Sequence, residues 1–171
     1  MTTSPEDPSI ATPADLEVLR EQLDRVPRGV VGIAARCVCG RPLVVKTAPR
    51  LEDGTPFPTT FYLTCPPIVK GCSVLEAEHI MESFNELLAN DEDIAAAYTR
   101  AHRDYIARRD ELGEVEEIAG VSAGGMPNRV KCLHALVGHA LAAGPGVNPI
   151  GDLALEMLAE RGLWSRERCS C

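Results

Sequence analysis

Apolar residues recur every three or four positions in several segments of the chain, which is the spacing of an amphipathic helix. This spacing predicts helices at about residues 12–25, 73–89, 91–112, 127–143 and 149–161. Between the first two helices, the runs VVGIAAR, PLVVKT and TFYLTC are rich in β-branched and aromatic residues. Because glycine and proline bound these runs, they predict a β-hairpin followed by a third strand.

Capping residues indicate where four of these helices begin. The signals are Thr12 with Asp15, Ser73 with Glu76, Pro127, and Asn148 with Pro149. Gly162 follows the last apolar position of the fifth helix and predicts its end.

The order of these elements predicts an α+β fold, with a small antiparallel sheet of about three strands in residues 29–65. About five helices pack with that sheet. Residues 1–11 are expected to form a flexible N-terminal tail, residues 12–164 a single domain, and residues 165–171 a C-terminal tail.

Charge and hydropathy narrow the range of partners. The net charge of −8 argues against a general nucleic-acid binder, which needs a basic face. No apolar run approaches the ~18 residues that span a bilayer, and the N-terminal MTTSPEDPSIATPAD does not resemble a signal peptide. We therefore expect a cytoplasmic protein without membrane insertion, whose seven cysteines are thiols or metal ligands.

The cysteines suggest a site for a metal. Cys37-x-Cys39-Gly40 lies at the expected hairpin tip and resembles a metal knuckle, although C-x₂-C is the common spacing. A tetrahedral site needs two more donors. Cys65 with Cys132 can supply them, and so can the tail pair Cys169-x-Cys171. Four thiolates suit zinc first and an iron–sulfur cluster second; the competing interpretation is that these are small buried residues.

The predicted helix at 127–143 contains a cysteine and two histidines. Cys132 and His139 would lie about 10.5 Å apart along the axis, too far to share one zinc ion. His134 would lie on the opposite edge of the same helix, so this helix is expected to supply one ligand, Cys132. The same geometry disfavours a nucleophile–base pair, and the catalytic residues, if there are any, stay unknown.

The glycine-rich loop before this helix is a candidate anion site. A helix that starts without a side-chain cap leaves backbone N–H groups free. Gly124 and Gly125, with Arg129 and Lys131 in the first turns, could therefore bind a phosphate-bearing ligand. The alternative, a glycine turn that feeds a packed helix, is favoured because isolated glycine patterns are common.

Three segments of the chain resemble the actinobacterial domain-of-unknown-function family 501. They are CVCGRP, TAPRLEDGTPFPTTFYLTCP and EIAGVSAGGMPNRVKCLHALVGHALAAGPGVNPIGD. Members of that family carry C-x-C, T-C-P and K-C-L-H segments, and the tail pair is not part of this pattern. The resemblance therefore favours Cys65 and Cys132 over the tail pair as ligands. It also brings in His134 and His139, as residues that would hydrogen-bond to the ligands.

These observations predict a non-catalytic, cysteine-rich protein in which a metal ties the hairpin and third strand to the helix at 127–143. Its expected role is to bind a protein partner. The resemblance adds a link to cell division or envelope growth, since genes of that family tend to lie beside genes of such proteins. The alternatives are an enzyme or sensor for a phosphate-bearing ligand, and an iron–sulfur redox protein.

Overall fold

The computed structural model of the protein describes residues 7–171 and confirms the α+β fold class. Within these residues it contains a three-stranded antiparallel sheet and six α-helices. The helices are α1 (Pro13–Leu23), α2 (Pro66–Ala77), α3 (Ile80–Asn90), α4 (Glu92–Asp110), α5 (Leu133–Ala143) and α6 (Pro149–Glu160). A short 3₁₀ helix spans Glu116–Ile118.

The three strands follow the predicted order along the chain. They are β1 (Val30–Arg36), β2 (Pro42–Thr47) and β3 (Phe61–Leu63), with β2 in the centre of the sheet. Ile33 pairs with Val45, and Val44 pairs with Leu63. The N–H of Ile33 also donates to the carbonyl of Ser9 at 2.8 Å. The first six residues of the predicted N-terminal tail lie outside the described residues.

Helix α5 is the centre of the core and lies against β3 and α6. Most of its side chains are buried, which its almost continuous apolar sequence explains. Gly138 lets α5 approach β3, because a Cβ there would lie 2.7 Å from the carbonyl oxygen of Phe61. Gly151 lets α6 approach α5, because its Cβ would lie 2.4 Å from the carbonyl oxygen of Leu136.

The helix predicted at residues 73–89 is wrong in its bounds, because two helices occupy this region. Helix α2 begins at Pro66, since proline suits the first turn of a helix as well as the end of a strand. It ends before His79, whose φ of 62° interrupts the helical hydrogen bonds ahead of α3. Ser73 therefore does not cap a helix; it lies inside α2 and its hydroxyl donates to the carbonyl of Val69.

The helix predicted to begin at Pro127 begins instead at Leu133. Asn85 of α3 explains part of this difference. Its side-chain oxygen accepts the N–H of Val130 at 2.8 Å, and its side-chain nitrogen donates to the Val130 carbonyl at 3.1 Å. Both backbone groups of Val130 are thus satisfied outside a helix, and the chain stays irregular until Cys132.

The other capping predictions agree with the structure. Thr12 and Asp15 form a reciprocal capping box at α1, and Asn148 accepts the N–H of Gly151 at α6. Asp15 also pairs with Arg36 of β1 at 2.7 Å, a hydrogen bond that holds the pKa of the Asp15 carboxyl below its ordinary value. Within residues 7–171, no helix combines the length and the apolarity that crossing a membrane requires.

Candidate metal centre

The hairpin between β1 and β2 presents two cysteines at its tip. The N–H of Cys37 donates to the carbonyl of Arg41, and the N–H of Gly40 donates to the carbonyl of Cys37, both at 2.8 Å. Gly40 has φ of 91°, which a residue with a side chain adopts at a cost. This turn places Cys37, which is buried, and Cys39, which is exposed, on the same side of the tip.

The C-terminal tail brings two further cysteines to the same place. The sulfur atoms of Cys37, Cys39, Cys169 and Cys171 all lie within 4.8 Å of one another. The distance between the sulfurs of Cys39 and Cys171 is 3.7 Å. A fifth thiol, Cys65 at the start of α2, has its sulfur 3.6 Å from that of Cys171. The sheet, the start of α2 and the tail thus meet at one group of thiols.

A backbone N–H group at the tip favours the thiolate form of Cys39, which is the form that binds metals, whereas burial disfavours that form at three neighbouring thiols. The N–H of Arg41 points to the sulfur of Cys39 and lowers the pKa of that thiol to about 7. Burial raises the pKa of Cys37, while the N–H of Cys39 acts in the opposite direction. Burial also raises the pKa of Cys65 and of Cys171.

Four thiols so close together could hold a metal ion. A tetrahedral zinc ion with Zn–S bonds of about 2.3 Å places its sulfurs about 3.8 Å apart, close to the 3.7 Å between Cys39 and Cys171.

The structure divides the predicted ligand set of Cys37, Cys39, Cys65 and Cys132. The first three lie at or beside the hairpin tip, whereas Cys132 belongs to a separate group with Glu76 and His134. The tail pair, which the sequence offered as the rival, takes the places expected of Cys65 and Cys132 in the group of four, and Cys65 lies beside that group. The signal in the sequence was the second C-x-C, which repeats the spacing of the hairpin pair.

The second group lies where α2 meets the start of α5. A ligand atom from each of Glu76, Cys132 and His134 lies within 4.8 Å of the other two. The expectation that Cys132 and His134 point in opposite directions is wrong, because it assumed that both residues are helical. Cys132 instead precedes the helix, with φ of −145° and ψ of 112°. Its extended backbone turns the thiol towards His134.

The pKa values of His134 and Cys132 are shifted in opposite directions. The interaction with Cys132 and the Glu76 carboxylate together raise the pKa of His134 to about 9, against the effect of burial. Burial acts to raise the pKa of Cys132, but hydrogen bonds from His134 and from the N–H of Ala135 outweigh it, and that pKa is lowered. The thiolate form of Cys132 is thus favoured.

His139 lies apart from both groups, in the core. Its Nε2 lies 2.8 Å from Asp104 Oδ2, and its Nδ1 lies 3.1 Å from the side-chain nitrogen of Asn148. The ring packs against Phe61 and Tyr105. Because the amide of Asn148 donates to Nδ1, His139 is neutral with its proton on Nε2. This accounts for His139 as a buried structural residue.

Acid should destabilise the protein through His139. Burial lowers the pKa of His139 below its ordinary value, so the unfolded chain binds a proton more readily than the folded chain. The stability that neutral His139 contributes is present above about pH 6.5 and is lost as the pH falls below it. Urea denaturation at steps from pH 7.5 to 4.5 should show this loss. His139→Gln should reduce this loss of stability, whereas His79→Gln, at an exposed site, should leave it unchanged. If the free energy of unfolding of His139→Gln falls with pH as steeply as that of the wild type, His139 is not the group responsible.

The residues of the predicted anion site lie in a turn rather than at a helix start. The carbonyl of Gly124 accepts the N–H of Lys131 at 2.8 Å, and a Cβ on Gly124 would lie 2.6 Å from the Leu136 side chain. A Cβ on Gly125 would lie 2.6 Å from the carbonyl of Arg129. Tight packing therefore explains both glycines, and α5 begins only after them. A phosphate-bearing ligand at Gly124, Gly125, Arg129 and Lys131 stays a prediction.

Comparison with known proteins relates the chain to a protein family. A family model described as protein of unknown function (DUF501) matches residues 33–156 of the chain. This range includes Cys37, Cys39, Cys65 and Cys132, and it ends before Cys169 and Cys171. No curated protein and no solved structure matches the chain.

Proposed function

Since the chain belongs to the family of proteins of unknown function DUF501, we propose its function from its own geometry: a zinc-stapled, non-catalytic protein that binds a protein partner. The observation that supports this proposal most is the convergence of four sulfur atoms, from Cys37, Cys39, Cys169 and Cys171, within 4.8 Å of one another. Zinc is the proposed ion because four thiolates at tetrahedral distances suit it.

A structural role for the ion follows from the donor count. Four protein thiolates fill a tetrahedral shell, whereas catalytic zinc sites keep one position for water or substrate. The ion would join the hairpin tip to residues 169–171, which approach the hairpin through their sulfurs. Cys65 would lie just outside the shell as a fifth thiol, close to Cys171.

The surface around the ion is the proposed contact for a partner. Val38 lies between two of the proposed ligands and is 62% exposed. With both neighbours bound to zinc, this apolar side chain would be held rigidly at the tip, which lowers the entropy cost of binding. The partner is expected among proteins of cell division or envelope growth, an expectation that comes from the family resemblance alone.

Metal analysis of purified variants tests the zinc proposal. Cys37→Ser and Cys171→Ser should each lose one zinc equivalent by inductively coupled plasma mass spectrometry. Cys72→Ala is the matched control, because Cys72 is buried in α2 outside the four-thiol group, and it should keep the full zinc content. An unchanged zinc content in both ligand variants, or iron with a visible cluster spectrum, would overturn the proposal.

The partner proposal needs its own experiment. A photo-crosslinking residue at Val38 in the zinc-loaded protein should give one specific crosslinked product in cells, and a Cys37→Ser background should abolish it. The same residue at Val26, which is 66% exposed and lies shortly before the end of β1 that is farther from the hairpin tip, serves as the control. The partner proposal fails if Val38 gives no product beyond those at Val26.

A further inference from the structure

Three chemically different donors meet at the junction of α2 and α5. Glu76 lies in the last turn of α2, Cys132 immediately precedes α5, and His134 lies in the first turn of α5. Their ligand atoms all lie within 4.8 Å of one another. The side chains of Glu76 and His134 are about a quarter exposed, 25% and 27%, so the group is open to ions from solvent.

The hydrogen bonds of His134 show that its Nε2 carries a proton. Its Nε2 lies 3.1 Å from the carbonyl oxygen of Val69, which can only accept, so Nε2 donates. Ser73 agrees with this assignment, because its hydroxyl already donates to Val69 and its lone pairs face Nε2 at 3.2 Å. A histidine that binds a metal commonly donates its other N–H to a backbone carbonyl in this way.

The second nitrogen of His134 faces negative charge. Its Nδ1 lies 3.0 Å from Oε1 of Glu76. A proton on Nδ1 accounts for this distance when no ion is bound, and a divalent cation between the ring and the carboxylate can take the place of that proton. Two ligands of one zinc ion with bonds of about 2.0 Å lie about 3.3 Å apart, close to the separation found here.

Charge balance also favours a divalent cation. The Cys132 thiolate and the Glu76 carboxylate carry two negative charges in a partly buried place, and a protonated His134 compensates only one of them. The N–H of Leu133 donates to Glu76 Oε1 at 2.8 Å, and the start of α5 offers a favourable dipole, but neither neutralises both charges. A divalent ion would make the group neutral.

We propose that Glu76, Cys132 and His134 form a second, separate zinc site, with a fourth coordination position open to water or to a ligand atom. Mixed sulfur, nitrogen and oxygen donors suit zinc rather than magnesium or calcium, which prefer oxygen alone. Three protein ligands with one open position are typical of zinc sites that bind or activate a small molecule. This site shares no residue with the four-thiolate site and does not depend on it.

The two sites can be tested independently in the full-length chain with zinc alone. Wild-type protein should bind about two zinc ions per chain, and Cys132→Ser or Glu76→Gln should bind about one. Glu76→Gln keeps an acceptor for the N–H of Leu133, so a loss of zinc in this variant would not result from the loss of that backbone hydrogen bond. Cys171→Ser should also bind about one, and the double variant Cys132→Ser with Cys171→Ser should bind none.

Cobalt substitution identifies the ligands of the second site. In the Cys171→Ser protein, Co²⁺ should give a thiolate charge-transfer band that disappears when Cys132→Ser is added. The proposal is overturned if Cys132→Ser and Glu76→Gln both keep the zinc content of the wild type. The rate of Cys132 alkylation gives a second test. The proposal is equally overturned if zinc leaves that rate unchanged while the His134→Gln substitution lowers it, because this result would indicate a thiolate–imidazolium pair. Retention of both ions in Cys171→Ser would instead contradict the four-thiolate site.

Discussion

Removing zinc from the four-thiolate site is expected to release the C-terminal tail and to lower the free energy of unfolding by about 3 kcal/mol or more. The ion would act as a crosslink between the hairpin tip and residues 169–171, closing a long loop of chain. After Trp164, which is buried, the tail has few other contacts, such as the bond from Arg168 to the carbonyl of Gly162. Denaturation with and without a chelator measures the loss of stability.

Limited proteolysis locates the same effect. Trypsin should cut after Arg166 or Arg168 in Cys37→Ser protein, or in the chelated wild type, well before it cuts the zinc-loaded wild type. Cys72→Ala, which keeps all four proposed ligands, should resist cleavage as the wild type does. Equal rates of tail cleavage with and without zinc would contradict a role for the ion in holding the tail.

Replacing Arg109 should destabilise the protein by about 3 kcal/mol or more. Its guanidinium is 1% exposed and donates to the carbonyl oxygens of Val121 and Ile118, the latter at 2.9 Å. Arg109→Met keeps most of the side-chain volume but leaves two carbonyls without their donor, at about 1–3 kcal/mol each when buried. Urea denaturation measures the change.

A control on the same helix separates charge from burial. Arg100 is exposed on α4, so Arg100→Met should change the free energy of unfolding by less than about 0.5 kcal/mol. Hydrogen exchange should also show faster exchange in residues 115–125 of Arg109→Met, because Arg109 fixes that loop to α4. Similar stabilities for the two variants would show that the buried guanidinium contributes little.

Local patterns were enough to predict much of the fold. The capping box of Thr12 and Asp15 and the cap at Asn148 act within a few residues, and the structure uses both as predicted. The runs of β-branched and aromatic residues predicted the sheet for the same reason, since composition and the flanking glycine and proline are local features of the chain. The α+β class followed from the order of these elements.

The errors arose where distant residues compete with local preference. Asn85 binds both backbone groups of Val130 and so delays the start of α5, which a local pattern cannot reveal. That delay places Cys132 beside His134 and Glu76 rather than on the opposite edge of a helix. Similarly, spacing alone could not decide whether Cys132 or the tail pair meets the hairpin thiols. The choice depends on how residues 165–171 pack against the hairpin, which no local pattern encodes.

A crystal of the purified protein, measured at the zinc absorption edge, tests the central claim most directly. Our account predicts an anomalous peak about 2.3 Å from each of the four sulfurs of Cys37, Cys39, Cys169 and Cys171. A peak ligated by Cys65 and Cys132 in place of the tail pair, or the absence of any peak at the hairpin tip in protein purified without chelator, would contradict it.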